Sequence, residues 1–231
     1  MNEGCFRPVT VDVPEGTLLN PRRPAPVSGG NVETSTRNAD VVLGALAQAA
    51  PDRVPAQSGG TMSNVMIGGT RADGSTWAFY ETNGCGMGGR PTMDGVDGIQ
   101  CHMTNTLNTP IEAIERDYPM RVSRYEFADG TGGRGRYRGG DGLIRALTLV
   151  EGDARISLLA ERHAVAPRGA QGGGNGATGN HLLLDTNVKQ AQQLPAKTTR
   201  AFAVGQTLVV QTPGGGAYGE GAGEGAGPPG T

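Results

Sequence analysis

A chain of 231 residues with 36% hydrophobic side chains has room for one large or two small domains around a thin core. Its formal charge of −2, with no basic run interleaved with aromatics, argues against nucleic-acid binding and against long-range steering by a charged polymer. No stretch approaches the roughly 18–20 uninterrupted apolar residues of a membrane helix and residues 1–19 lack the basic and apolar regions of a leader, so a cytoplasmic protein without membrane contact is expected.

Residues 2–27 carry Pro8, Pro14, Pro21, Pro24 and Pro26, which limit helix and favour extended segments. Residues 9–13 alternate like a short strand that wraps over the body. Thr34, Ser35 and Asn38 can cap a helix whose Val41, Val42, Ala45 and Leu46 recur at helical spacing, ending before Pro51. A polar glycine turn at 58–64 is followed by a strand at 77–82 and a short second helix at 110–116.

After Tyr118 the texture turns to strands at 121–127, 143–151, 154–161, 181–185, 200–204 and 208–211, each bounded by Gly, Asp or Pro turns. The expected fold is α+β and β-rich, with mainly antiparallel short strands in the C-terminal half and two or so helices in the N-terminal half. A glycine-rich, site-bearing part at 1–118 and a β-rich part at 119–213 follow from that change of texture. The 40 glycines, against an average usage of about 7%, show no Gly-X-Y period and are assigned to turns and to a flexible end. Residues 214–231 alternate Gly with Ala, Glu and Pro, bury little, and are expected to be disordered.

Residues 84–110 run Gly-Cys-Gly-Met-Gly-Gly-Arg-Pro-Thr-Met-Asp-Gly-Val-Asp-Gly-Ile-Gln-Cys-His-Met-Thr-Asn-Thr-Leu-Asn-Thr-Pro. Gly84, Gly86, Gly88 and Gly89 let backbone approach a ligand, while Asp94, Asp97, His102, Thr104, Asn105, Thr106, Asn108 and Thr109 supply polar groups; that density is hard to explain as packing alone. A built site is one reading, and a self-satisfied loop that caps a helix at Pro110 is the other. His102 is the first candidate for proton exchange or metal ligation. Asp94 and Asp97 either aim at a cation or form two Asp-Gly turns. Arg90 either holds a carboxylate or phosphate bidentately or pairs with Glu81 or Asp94. Cys5, Cys85 and Cys101 are odd in number without a C-x-x-C pair, which fits neither a disulfide framework nor a zinc site, so they read as reduced thiols. Neither residues 172–179 nor residues 130–135 combine lysine, strand and helix as a phosphate loop does, so no ATP site is expected in this chain.

Residues 84–110, taken with residues 2–8, 14–21, 29–34, 138–142 and 212–216 in that order, resemble the hydantoinase B/oxoprolinase family, relatives of acetone and acetophenone carboxylase large subunits. The resemblance implies the C-terminal half of a B-type subunit, with Met1 corresponding to an internal position of longer members. It implies an ATP-dependent complex that opens a cyclic amide, a hydantoin, 5-oxoproline or a lactam, with a hydantoinase A-type partner that binds ATP and Mg. The family's metal motifs resemble Gly-Thr-His-x-x-Asp and His-His-x-Asp and match nothing here, so the divalent metal would sit on an N-terminal half, in the same or a separate polypeptide, with none on this chain. In that scheme His102 and Arg90 are the catalytic candidates and Asp94, Thr104 and Asn105 bind substrate, while the chain alone is inactive. A carboxylase-like subunit and a non-catalytic assembly module or relic are the alternatives.

Overall fold

A computed structural model of the protein describes residues 3–26, 29–185 and 188–221. Two antiparallel sheets form its body. The first orders β2 (Thr76–Glu81), β1 (Asn64–Thr70), β5 (Asp153–Leu159) and β8 (Lys197–Phe202). The second orders β3 (Met120–Ala128), β4 (Gly142–Leu149), β9 (Thr207–Gln211), β6 (Asn180–Asp185) and β7 (Val188–Leu194). Period-two alternation sends Trp77 and Phe79 of β2 and Ala154, Ile156 and Leu158 of β5 inward, where they meet Leu147, Leu149, Leu208 and Val210 of the second sheet in one apolar cluster. Helix α2 (Ile111–Asp117) closes one end with the fully buried Ile114, and Tyr118 just beyond it stacks its edge on Phe79 at a ring distance of 5.2 Å. The α+β, mainly antiparallel expectation holds.

Several local expectations do not. Residues 9–13 form no strand: Val9 and Val11 stay exposed, and no sheet edge among the described residues pairs with them. Strands β1 and β7 were not anticipated, because Ile-Gly-Gly-Thr at the end of β1 reads as a turn and the Gln-rich β7 lacks apolar alternation. One sheet crosses the boundary at 118/119, since β1 of the first part pairs along its whole length with β5 of the second.

Helix α1 (Gly30–Ala49) starts earlier than its hydroxyl residues suggest. Ser35 and Thr36 donate back to the Val32 and Glu33 carbonyls at 2.9 and 2.8 Å and cap nothing; Gly29, at φ +75°, makes the entry. The helix is also turned inside out relative to its apolar pattern. Val41, Val42 and Leu46 are 71%, 58% and 51% exposed, while Glu33, Thr36 and Asp40 on the opposite stripe are buried.

The glycine-rich runs are neither ligand cradles nor a loose end. Main chain from three regions interleaves: Gly86 donates to the Pro213 carbonyl (2.9 Å), Gly140 to Met87 (2.8 Å), Gly215 to Gly140 (2.9 Å), and Gly89 to Gly216 (2.8 Å). A Cβ at Gly86 would lie 2.7 Å from the Gly140 carbonyl carbon, and one at Gly215 would lie 2.8 Å from the Gly88 nitrogen. The density of glycine in residues 84–89 is therefore explained by packing after all. Disorder does not begin at 214: Gly214–Tyr218 is buried, Ala217 completely, and Tyr218 donates to the Pro51 carbonyl at 3.0 Å. The rest of the expected tail, residues 222–231, lies outside the described residues.

Because the atoms facing Gly140 and Gly215 are backbone and cannot step aside, Gly140→Ala and Gly215→Ala are expected to lower the unfolding free energy by about 3 kcal/mol or more in urea titrations. Gly44→Ala, on α1 with nothing within 4 Å, is expected to raise it by about 1 kcal/mol. Equal, small effects at all three positions would remove the backbone-packing account.

Candidate functional site

The buried polar stripe of α1 builds the site. Glu33 Oε1 accepts from the Met62 amide (3.0 Å) and from Asn64 Nδ2 (2.7 Å), which locks the helix to the start of β1. Burial raises the Glu33 carboxyl above its ordinary range. Two turns on, Asp40 Oδ2 accepts from Arg37 Nη2 at 2.6 Å and Arg162 Nη2 at 2.7 Å, and Oδ1 faces His102 Nε2 at 3.0 Å. The Asp40 side chain is 8% exposed, that of Arg162 7% and that of His102 14%.

Burial alone would raise Asp40, but donation from His102, Arg37 and Arg162 outweighs it and carries the carboxyl below its ordinary range. The same contact with Asp40 raises His102, against the effect of burial. His102 reaches Asp40 from a left-handed backbone conformation, φ +62°, unusual for a residue with a side chain and typical of positions held for a purpose. The paired amides and carbonyls of Cys85 and Ile99 (2.9 and 3.0 Å) anchor the segment from which it projects. Beside it, Cys101 and Cys85 are free, buried thiols; hydrogen bonding to Cys85, with help from Ser58, pushes Cys101 down to about 7, and the same interaction raises Cys85.

A recess of about 180 Å³ opens next to this pair. Leu43, Ala47, Val54 and Ala56 give it an apolar wall, and Asp40, His102, Ser58, Gln57 and Arg168 its polar one. With Nε2 turned to Asp40, the remaining ring nitrogen Nδ1 is the one that can exchange a proton. A divalent cation does not fit here: the carboxylate it would need already accepts from two guanidiniums, and a cation would meet their charge. Among the described residues no three His, Cys, Asp or Glu side chains come close enough to share a metal.

The other sequence candidates lie elsewhere. Arg90 Nη2 donates to the Asp94 carbonyl at 2.7 Å, not to a carboxylate, and neither residue lines the recess. The Asp94 carboxylate accepts from the Arg138 amide (2.9 Å), and Asp97 holds the Arg138 guanidinium bidentately at 2.6 and 2.9 Å. Asp97 therefore faces an arginine and Asp94 a peptide amide. Glu81, offered as a partner for Arg90, pairs instead with the buried Arg145 of the second sheet. Asn108 donates to the Thr82 carbonyl at 2.7 Å, while Thr104 and Thr106 share a 3.3 Å contact, and Asn105 is exposed. His163 and His181 stack on each other at 4.2 Å away from the site; burial drives His181 down to about 3. Of this ion-paired group only His102 stands out as a candidate in the sequence; Asp40, Arg37 and Arg162 do not. The signal passed over was the second helical stripe, Glu33, Thr36, Arg37 and Asp40, opposite the apolar one.

The model of the hydantoinase B/oxoprolinase family matches residues 1–221. An uncharacterised protein of Methanocaldococcus jannaschii is 47% identical over 95% of this chain and 38% of its own length. The 5-oxoprolinase 1 of Arabidopsis thaliana is 40% identical over 95% of this chain and 16% of its own. The crystal structure of ATP-dependent caprolactamase from Pseudomonas jessenii superposes with a TM-score of 0.85 and 29% identity, over 95% of this chain and 40% of that one. The chain thus spans well under half the length of the relatives it matches.

The Asp40–His102 pair makes two signed predictions. His102, raised, contributes stability that is fully present below its ordinary 6.5 and lost as pH climbs through its folded value. Asp40, lowered, contributes stability present above its ordinary 3.8 and lost as pH falls through its folded value. NMR titration of the ring is expected to place His102 above 6.5 in the native chain and at or below it in Asp40→Asn. An unchanged titration would break the pairing.

Proposed function

Because the chain belongs to the hydantoinase B/oxoprolinase family, we propose that it is the part of an ATP-dependent, cyclic-amide-opening enzyme that brings His102 to the substrate. The observation that carries this reading is the Asp40–His102 pair at the edge of a small, mostly apolar recess. The reaction adds water across a ring C–N bond, and the departing ring nitrogen needs a proton. His102, whose protonated form the contact with Asp40 favours, can deliver one from Nδ1 and regain it from the water that attacks.

An amide carbonyl is a poor electrophile, and activation by ATP on a hydantoinase A-type partner, as the family relationship implies, would supply the missing driving force. On the same family grounds the metal would belong to the remainder of a family-length B-type subunit, since the Asp40 carboxylate is already held by two guanidiniums. Thr104 and Asn105, two and three residues past His102, do not line the recess and stand as substrate contacts on the family relationship alone; Arg90 and Asp94 brace the loop through Arg138. The exposed apolar side of α1 fits a chain that works against another polypeptide. Neither a carboxylase-like reaction nor a purely structural role finds a specific feature in its favour.

The test is reconstitution with an A-type subunit and the rest of a B-type subunit, followed by ATP-dependent ring opening of 5-oxoproline, hydantoin and a simple lactam. His102→Ala is expected to lower kcat by about 10²–10⁴-fold with little change in KM. Arg90→Ala is expected to act on thermal stability more than on kcat. Undiminished turnover in His102→Ala would remove His102 from the chemistry.

A further inference from the structure

The exit of β2, residues 81–83, is buried and is tied to both halves of the Asp40–His102 pair. On one side Asn83 donates its main-chain amide to the Met62 carbonyl (2.8 Å) and its side-chain amide to the Ser63 carbonyl (2.9 Å). Glu33 accepts from the Met62 amide, so the exit is linked through that segment to α1, which carries Asp40. On the other side stand residues 100–109, the irregular loop that carries His102. Gln100 Nε2, two residues before His102, donates to Thr82 Oγ1 at 3.1 Å. Asn108 Nδ2 donates to the Thr82 carbonyl at 2.7 Å, and the Thr109 amide donates to Glu81 Oε1. Both feet of the loop therefore rest on two consecutive residues. Between them Met103, Asn105 and Leu107 are exposed, and the His102 ring faces Asp40.

The second sheet makes this exit rigid. Arg145 of β4 pairs with Glu81, both side chains being buried, and its guanidinium lies over the Tyr125 ring of β3 at 4.9 Å. Tyr125 in turn donates its hydroxyl to Asn108 Oδ1 at 2.9 Å. Burial lowers Arg145 only to about 10, so the pair stays ionic near neutrality. Such a pair adds little net stability over an apolar replacement, whereas it fixes geometry. Geometry is what His102 requires: its φ of +62° is a conformation that persists only where the surroundings over-determine it, and Asp40 holds the ring rather than the backbone.

We propose that Glu81 and Thr82 are positioning residues for His102, which hold both ends of residues 100–109 at a fixed place relative to α1 and so keep the imidazole on Asp40. That this placement serves ring opening rests on the proposed function; the placement itself does not.

Glu81→Gln would leave Arg145 buried without its carboxylate and strongly destabilise the chain, so the test turns to milder variants. Thr82→Val keeps the shape and removes the acceptor of Gln100, Gln100→Ala removes the donor, and Thr82→Ser keeps the hydroxyl. NMR titration of the full chain is expected to show the His102 value falling toward that of Asp40→Asn in Thr82→Val and Gln100→Ala, and staying at the parent value in Thr82→Ser. Arg37 and Cys101 also bear on that titration, and none of the three variants replaces them. In the reconstituted enzyme Thr82→Val and Gln100→Ala should lower kcat by about tenfold or more, with KM within about twofold. A His102 titration unchanged in both variants, whatever their melting temperatures, overturns the inference, and so does an equal fall in Thr82→Ser. A KM that rises while kcat holds also overturns it, by making the loop a substrate contact instead. A reconstituted enzyme that opens no ring, while the His102 titration still depends on Thr82, overturns the function and leaves the positioning role standing.

Discussion

Where residues 84–89, 130–142 and 213–218 meet, main chain rests on main chain with no side chain between, and the functional side of the molecule is positioned from that contact. The constraint is steric before it is energetic: a single methyl group at Gly86, Gly140 or Gly215 would overlap atoms of a facing peptide. Most amides in the contact find a carbonyl, and those of Gly88, Gly132, Arg138, Asp141 and Gly142 find side-chain oxygens instead, so the irregular region is densely bonded, as buried peptides must be. The segment before β1 is drawn into it, through Ala56 to Gly89 (2.9 Å), Gly59 to Gly86 (2.8 Å) and Gly216 to Gln57 (2.8 Å). Gly60 then offers its carbonyl to Arg37, and a side chain there would collide with Arg37 and approach Asp40 Oδ2 to 2.7 Å. Main-chain packing thereby sets the distance between α1 and the loop that carries His102.

The inverted orientation of α1 follows from the same arrangement. The surface it docks on presents peptide amides, Asn64 and Arg162 rather than apolar side chains, so the helix buries the stripe that can bond to them and leaves Val41, Val42 and Leu46 outside. Burying Glu33 and Asp40 costs desolvation that only good partners offset, and each has several. A polar helix face meeting polar backbone fixes rotation and register more sharply than an oily stripe would, because an unmatched carboxylate is penalised far more than a misplaced methyl group. The outcome is a carboxylate aimed at an imidazole from a rigid element, with a small recess alongside.

Much of the body was legible. Strands β2, β3, β4, β5, β6, β8 and β9 and helix α2 announce themselves by alternation or by turn residues, since each buries one face against a single apolar core. His102 was legible as a lone imidazole in a polar run. Its partner was not, because Asp40 lies on a helix 62 positions earlier in a stripe that apolar periodicity ranks as the solvent side. β1 and β7 were hidden by Gly69, which makes room for the Asp153 carbonyl, and by a run of glutamines. Glycine misled in both directions: at 84–89 it suggested a ligand and at 214–218 disorder, whereas both serve the packing of peptides on peptides, a contact between distant segments that no local window displays.

Native-state hydrogen exchange resolved to single amides tests this account most directly. The amides of Gly86, Gly89, Gly140, Gly215 and Gly216 should exchange as slowly as those of the central strands β4 and β9, since they open only when the body unfolds. Exchange of those glycines at the rates of an unprotected loop, with β4 and β9 still protected, would contradict it, because the contact that places His102 on Asp40 would then not be part of the folded core.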